Sequence, residues 1–337
     1  MTNERDRSVI SQSCFYCNAS GLSLYYDNVS DRLGVISGAW SFYECPNCSS
    51  LRLHPFPTPD ILRRAYPENY CFSVNASASK FIRIFGNLQE LLLYRPLFSA
   101  QMRPIVSNVN THQRAPNPAL LDVGCGKAER LRYFQEAGFQ VHGLDLIPEN
   151  VDWVRNNLQI PAVCGDAQQV AECFPQTRFH VITAFQLLEH LLDPSDFVQQ
   201  CRRILHPGGA LVLLVPVIDC LQARIFRRRW AAVTEAPRHV TIPSRKGLSI
   251  LLRNSGYAEV VFIPDTALNS AGVVGTTLFP AALSAWRGSR YHWFCRLLAI
   301  CASILALPFC VMESLLLGNG ACLLVIARTP GPDGEQS

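Results

Sequence analysis

The feature that most constrains this chain is a regular alternation of apolar strands and helices that begins at residue 119. ALLDVG (119–124) is a continuous apolar run closed by glycine, and KAERLRYFQEAG (127–138) carries a helical pattern. FQVHGLDL (139–146), PAVCGD (161–166), FHVITAFQ (179–186) and PGGALVLLVP (207–216) read as further strands. PENVDWVRNN (148–157), SDFVQQCRRILH (195–206) and SRKGLSILLRNSG (244–256) read as helices, followed by strands at YAEVVFIPD (257–265) and GACLLVIART (320–329). Strands apolar on both faces and separated by helices predict an α/β fold whose mostly parallel sheet is covered on both sides. Crossovers in such a sheet are right-handed. Ligands bind beyond the carboxyl ends of its central strands.

The first strand runs into Asp122-Val-Gly124-Cys-Gly126. Gly124 permits a sharp turn, and Gly126 lets the backbone approach a ligand. A dinucleotide loop requires a third glycine where this chain has Glu129, whose carboxylate repels a pyrophosphate. No GK[ST] follows, so a P-loop is excluded as well. Asp145 closes the second strand, where an acid accepts hydrogen bonds from ribose hydroxyls. Asp166 closes the third, beside the place of an adenine edge.

In this combination the chain resembles the class I S-adenosylmethionine-dependent methyltransferases. The resemblance rests on LLDVGCGKAERLRYFQEAG, VHGLDL, CGDAQQV, FHVITAFQLLEHLLDPSDFVQQCRRILHPGGALVLLVP and EAPRHVTIPSRKGLSILLRNSGY, in the family's order over about residues 119–257. It implies a seven-stranded Rossmann-like sheet of order 3-2-1-4-5-7-6, with the last strand antiparallel. It also implies roles. Asp122 orients the methionine amino group through the turn, and Gly124 and Gly126 form the wall around it. Asp145 holds the ribose diol. Asp166 and the Ala167 backbone meet the adenine, and Gln186 lies near the sulfonium. Ala128 stands where the family often has a third small glycine, a mild departure.

Two C-x2-C pairs, Cys14/Cys17 and Cys45/Cys48, precede this domain. Four thiolates in two knuckles complete a closed tetrahedral Zn²⁺ site. Four ordinary cysteines, or a redox pair, are the alternatives; no βαβ pattern surrounds either pair to favour the latter. The chain then resembles bacterial family members with an N-terminal zinc-binding module. So short a module cannot bury a core unaided, which makes the structural metal part of its fold. The expected organisation is a zinc-ribbon-like module over 1–55 and a helical linker or active-site cover over 56–115. The methyltransferase domain follows over 116–330. Within the linker, SASKFIRIFGNLQELLLYRPL (77–97) reads as a helix and NVNTHQRAPNPA as a boundary.

Methyl transfer from a sulfonium is a displacement that needs alignment and, for an O or C acceptor, a base. His190, in QLLEHLLDP, and His239, in EAPRHVTIP, are the candidates, since histidine titrates near neutrality. A structural role for each stays open, with Glu189 tying down the His190 loop. His142 and His180 sit at strand starts, the wrong end of the sheet. Arg238 reads as a contact for an anionic substrate, and RIFRRRW (224–230) as an anion-binding cluster or a solvated face.

An insertion, 266–319, separates the last two strands. LLAICASILALPFCVM (297–312) is sixteen mostly apolar residues interrupted by Pro308, preceded by basic and aromatic WRGSRYHWFCR. Three readings stand: a buried helix or lid, a shallow membrane-associating hairpin through 287–317, and a span, which needs about 20 apolar residues. The acceptor class these features suit is a small molecule, such as a sugar, or a lipid-linked glycan or quinone-like compound.

Two other functions compete. One is a zinc-module scaffold with a relict cofactor fold, which the retained Asp122, Gly124, Gly126, Asp145 and Asp166 argue against. The other is a nucleic-acid methyltransferase. AFQLLEH replaces an N-P-P-Y-type motif, and a net charge of +4 supplies no strong basic field. Fourteen cysteines, mostly in apolar segments, fit a reducing compartment. The polar N-terminus lacks the apolar stretch of a signal peptide. The expected location is cytoplasmic, at the cytoplasmic face of the membrane if the insertion docks there.

Overall fold

A computed structural model describes residues 8–66, 95–112, 115–283 and 292–331. The chain opens with strands β1 (Val9–Ile10), β2 (Leu22–Val29), β3 (Trp40–Glu44) and β4 (Leu51–His54), then helices α1 (Pro59–Ala65) and α2 (Arg95–His112). The helix expected over 77–97 falls mostly outside the described residues. Helix α2 runs into the stretch expected to be a boundary, because Met102, Ile105 and Val109 lie one helical turn apart and bury against the sheet.

The central domain follows as β5 (Ala119–Val123), α3 (Glu129–Glu136), β6 (Gln140–Asp145), α4 (Pro148–Trp153), β7 (Ala162–Cys164), α5 (Val170–Cys173), β8 (Phe179–Phe185), α6 (Pro194–Arg203) and β9 (Leu205–Pro216). Then come α7 (Leu221–Phe226), α8 (Ala231–Thr234), β10 (Thr241–Ile242), α9 (Arg245–Asn254), β11 (Glu259–Pro264), α10 (Ala267–Leu278), α11 (His292–Leu317) and β12 (Cys322–Arg328). Seven of these strands form one sheet in the order β11-β12-β9-β8-β5-β6-β7. The pairs from β9 to β7 are parallel, and β12 lies antiparallel between β9 and β11.

Side chains alternate across the pleat. Leu121, Val123, Ile182, Leu213 and Val325 enter one core, while Leu120, Val181, Val212, Leu214 and Leu324 enter the other. The first core also contains Cys14, Tyr16, Leu22, Phe42 and Leu53 from the N-terminal strands, so the cysteine-bearing sheet and the central domain share one apolar interior.

That sheet has five strands, ordered β1-β2-β3-β4-β10, and takes its last from the central domain. Thr241 pairs with Arg52 and Ile242 with Leu51. Tyr16 Oη lies 2.8 Å from Thr241 Oγ1, and the Ser244 amide donates to Ser50 Oγ at 3.0 Å. A segment of about fifty residues buries too little apolar surface alone, and here it finds the remainder against its neighbour.

The insertion forms a helical hairpin, α10 and α11. The reading of a buried helix does not hold: the apolar window of Phe294–Leu317 is only 11% buried.

Candidate active site

Each expected cofactor residue lies on or just beyond the carboxyl edge of the sheet. After β5 the chain turns through Gly124 at φ +74°, Gly126 at φ +53° and Ala128 at φ +58° before entering α3. A Cβ at Gly126 would meet nothing within 4 Å, so its outer side faces open space. The turn is clamped from below: the Gly124 and Cys125 amides donate to Leu144 O at 2.8 and 3.1 Å. Asp145 clamps it from the side. Its Oδ2 accepts from the Gly126 amide at 2.7 Å, and its Oδ1 from the Ile147 amide at 2.9 Å and Asn150 Nδ2 at 3.2 Å. A carboxylate offers about four lone-pair sites, so Asp145 keeps capacity for a ligand hydroxyl.

Asp122 is buried and accepts from Thr183 Oγ1 at 2.6 Å. Burial raises its pKa to about 6, partly offset by the Thr183 bond and the Arg130 charge. Asp166 is exposed at the rim, where its Oδ1 accepts from the Gln168 amide at 2.9 Å, next to half-buried Ala167. Gln186 follows β8 at φ +52°, exposed, with Nε2 3.3 Å from Cys322 Sγ.

Two residues that pattern reasoning passed over join this edge. Arg130, in the first turn of α3, lies 4.8 Å from the Phe185 ring centroid, and the charges of Asp122, Glu129 and Asp265 act on it. Asp265 is buried at the end of β11 and accepts from Gln101 Nε2 at 2.9 Å and the Thr266 amide at 2.6 Å. Neither belongs to a spaced motif. Only the acid's place at a strand's carboxyl end signalled it.

His190 and His239, far apart in sequence, stack edge to face with centroids 4.7 Å apart. His239 is buried, and its Nδ1 lies 2.8 Å from Ala232 O. His190 is half-buried, and its Nδ1 lies 3.1 Å from Arg238 O and 2.9 Å from Tyr66 Oη. A carbonyl accepts only from N–H, so each ring is protonated at Nδ1 and keeps a lone pair on Nε2. Burial lowers both pKa values, that of His190 to about 4, so the expected titration near neutrality does not hold and both rings are uncharged there. Beside them Glu189 is fully buried, and neither carboxyl oxygen finds a hydrogen-bond partner among the described residues. Burial raises its pKa to about 8. These three side chains bring their ligating atoms within 4.8 Å of one another.

Arg238 does not face a substrate, contrary to expectation. It is fully buried, donating to Asp31 Oδ1 at 2.6 Å, Glu235 Oε2 at 2.8 Å and Ala65 O at 3.2 Å. Two carboxylates consume its charge.

The four N-terminal cysteines converge, with Sγ atoms all within 4.8 Å of one another. Cys14 and Cys48 Sγ are 3.5 Å apart, and Cys17 and Cys45 Sγ are 3.4 Å apart. Tetrahedral Zn–S bonds of about 2.3 Å give S···S edges of about 3.8 Å. The Tyr16 amide also donates to Cys14 Sγ at 3.4 Å, which favours a thiolate. This donor set fits a structural Zn²⁺.

Comparison with known proteins agrees with the geometry. Residues 95–261 match the family model of a methyltransferase domain. Over 100 residues the chain is 34% identical to the ubiquinone biosynthesis O-methyltransferase of Actinobacillus pleuropneumoniae serotype 7, covering 27% of this chain and 43% of that protein. It is 31% identical over 110 residues to the enzyme of the same description from Xanthomonas euvesicatoria, covering 31% and 46%. The chain therefore spans less than half the length of these curated relatives. A crystal structure of a SAM-dependent methyltransferase from Archaeoglobus fulgidus is similar at a TM-score of 0.42 and 14% identity, covering 73% of this chain and 99% of that one. With its glycine turn and its acids at successive strand ends, the central domain has the class I S-adenosylmethionine-dependent methyltransferase fold.

Proposed function

We propose that this chain transfers a methyl group from S-adenosylmethionine to a hydroxyl oxygen of a small, quinone-like acceptor. The single observation that carries the reading is continuity. One edge of the sheet holds the open Gly126 turn, the acids Asp145 and Asp166, and the Glu189–His190–His239 cluster. The ubiquinone-type names of the matched relatives supply the acceptor class.

S-adenosylmethionine, when bound, supplies an electrophilic methyl group on a positive sulfur. Asp145, anchored by Gly126, Ile147 and Asn150, holds the ribose diol. Asp166 and the Ala167 backbone border the adenine. Arg130, in the first turn of the helix after the glycine turn, meets the methionine carboxylate, while Asp122 and the turn backbone meet the amino group. Gln186 lines the path to the sulfur.

His190 is the base. Its Nε2 lone pair is free at neutral pH because burial keeps the ring unprotonated. Tyr66 and Arg238 O fix the ring from the Nδ1 side. His239, more deeply buried, packs against it and positions it. Glu189, held protonated near neutrality, adds no charge beside the two histidines. Alignment of the oxygen with the methyl group supplies most of the acceleration. The four-cysteine site, with Zn²⁺, holds the N-terminal strands that flank the Asp31 loop and so, through Arg238, the histidine loop.

Titration calorimetry with S-adenosylmethionine tests the first half of the reading. Release of S-adenosylhomocysteine with a dihydroxylated aromatic acceptor, against a nucleotide sugar as comparison, tests the second. Absence of cofactor binding by a folded, zinc-loaded sample would overturn the proposal. Turnover of only the sugar would move the acceptor class.

A further inference from the structure

We propose that the α10–α11 hairpin is a monotopic docking surface for an anionic lipid bilayer, and that it brings the mouth of the methyltransferase site to the membrane. The inference deepens the functional reading above and rests on it for the identity of that site.

Helix α11 carries the sidedness. It has 26 residues, and between Phe294 and Leu317 only Arg296 and Glu313 bear charge. In a soluble protein Glu313 would face water and the leucines the core. Here the reverse holds. Glu313 is 2% exposed and its Oε1 accepts from the Leu221 amide at 2.7 Å, at the start of α7. Leu305 is 83% exposed, Leu315 79% and Leu316 73%, with Ile304, Met312 and Leu317 also open. An apolar face of this extent far exceeds the scattered hydrophobes of an ordinary soluble surface. Helix α10, which packs beside it, contains no charged residue.

The two helices pack closely on each other, and the hairpin is fixed to the domain near its base. A Cβ at Gly275 would stand 2.3 Å from Ala299 O, so glycine is required for the two helices to approach so closely. Cys310 is buried with Ala271 and Val274, and Gln222 Nε2 donates to Ser270 O at 2.8 Å. The C-terminal half of α11 is thereby tied to the domain, through Cys310 and Glu313, while its N-terminal half packs on α10. A lone spanning helix meets lipid on every side. A helix that offers protein one side and an apolar medium the other suits interfacial insertion.

The occupant follows from charge. Beside the hairpin, Arg224, Arg227, Arg228 and Arg229 are all exposed, and no acidic residue occurs between Asp219 and Glu235. Phe226, within this cluster, packs against the Ala271–Cys310 contact, and the Ala231 amide donates to Thr277 Oγ1 at 3.1 Å. The arginines therefore form a collar at the flank of the apolar face, which matches acyl chains bordered by anionic headgroups.

Position gives the surface its purpose. The hairpin joins the end of β11 to the start of β12, where Pro264 pairs with Leu323 and Pro216 with Cys322. This is the carboxyl edge that bears the glycine turn, and Gln186 contacts Cys322 directly. Docking therefore holds that edge toward the bilayer, and an acceptor with an isoprenoid or acyl tail enters the site from it.

Full-length protein is tested by flotation with phosphatidylcholine vesicles, with and without phosphatidylglycerol. Wild type floats with the anionic vesicles and is released by salt. The double variant Leu305→Glu/Leu316→Glu loses partitioning by more than about a hundredfold, as expected for two leucines removed from an apolar phase. Arg228→Ala/Arg229→Ala weakens it by about fivefold per arginine. Both variants keep wild-type S-adenosylmethionine affinity, which shows that they fold. Wild-type flotation by the leucine variant overturns the proposal. So does a dimer that buries this face without vesicle binding, or resistance to alkaline carbonate extraction, which marks a span. Loss of cofactor binding in floating wild-type protein would instead sink the enzymatic reading and leave the surface intact.

Discussion

Replacing Asp31 by asparagine tests how the N-terminal sheet governs the distant histidines. Asp31 Oδ1 accepts from Arg238 Nη2 at 2.6 Å and the Leu33 amide at 2.9 Å, and Oδ2 from the Val35 and Ile36 amides at 2.7 and 3.1 Å. Both side chains of the ion pair are 0% exposed. Asparagine has one acceptor oxygen and one NH₂. In either orientation its NH₂ meets donors, the guanidinium on one side or the Val35 and Ile36 amides on the other. Arg238 then loses one of its two carboxylate ion pairs and keeps that with Glu235. Breaking a buried pair from one side costs about 3–5 kcal/mol, a large share of the roughly 5–15 kcal/mol that stabilises a domain. Urea unfolding should show a loss in that range, and a thermal midpoint lower by roughly 5–10 °C. Because Arg238 O holds His190 Nδ1, methyl transfer should fall while S-adenosylmethionine affinity stays near wild type. The acid dependence should change too. Burial pushes the Asp31 pKa up, but the Arg238 bond and charge and the Ile36 and Leu33 amides pull it below 3.8. Its contribution is thus complete above pH 3.8 and lost as pH falls through the lower folded value, a loss the variant should lack. A destabilisation under about 1 kcal/mol, the worth of an exposed pair, would refute the reasoning.

Other perturbations separate the parts of the site. Asp145→Ala removes the acceptor that holds Gly126 and the proposed ribose contact. Calorimetry should record at least about a hundredfold weaker cofactor binding, at roughly 1.5–3 kcal/mol per charged hydrogen bond. Glu189→Gln should flatten the pH dependence of stability measured by thermal denaturation. The wild-type carboxyl is raised from 4.5 to about 8, so its contribution is complete below 4.5 and declines as pH rises towards 8. Every tenfold change in proton affinity between the folded and unfolded chain is worth about 1.4 kcal/mol. Elemental analysis should find zinc bound to wild type and lost in Cys14→Ser/Cys48→Ser. Chelation should lower the melting temperature of the whole chain, because the cysteine-bearing strands share the core of the central domain.

What could be read in advance depended on how local the physical signal was. Continuous apolar strands, the glycines of the DVGCG turn and the acids at the ends of β6 and β7 are short-range features, and they announced the α/β domain and its carboxyl-edge turn. The paired cysteines announced a four-sulfur cluster by spacing alone. The acceptor side was only half legible. His190 and His239 were marked by residue type, but their stacking depends on the path from β8 to β10. Arg238 was misread because its partners, Asp31 and Ala65, lie in another part of the chain. Helix α2 ran through a polar stretch because its apolar turn found the sheet.

The sequence by itself determined the sheet, the turn and the cysteine cluster, since backbone periodicity and ligand spacing act over a few residues. Tertiary structure alone decided three other matters. It gave the N-terminal sheet a strand from the central domain, turned Arg238 inward, and left the leucines of α11 outside while burying Glu313. Hydrophobicity counts apolar residues along a chain, but which face of a helix meets protein is fixed by the surfaces folded around it.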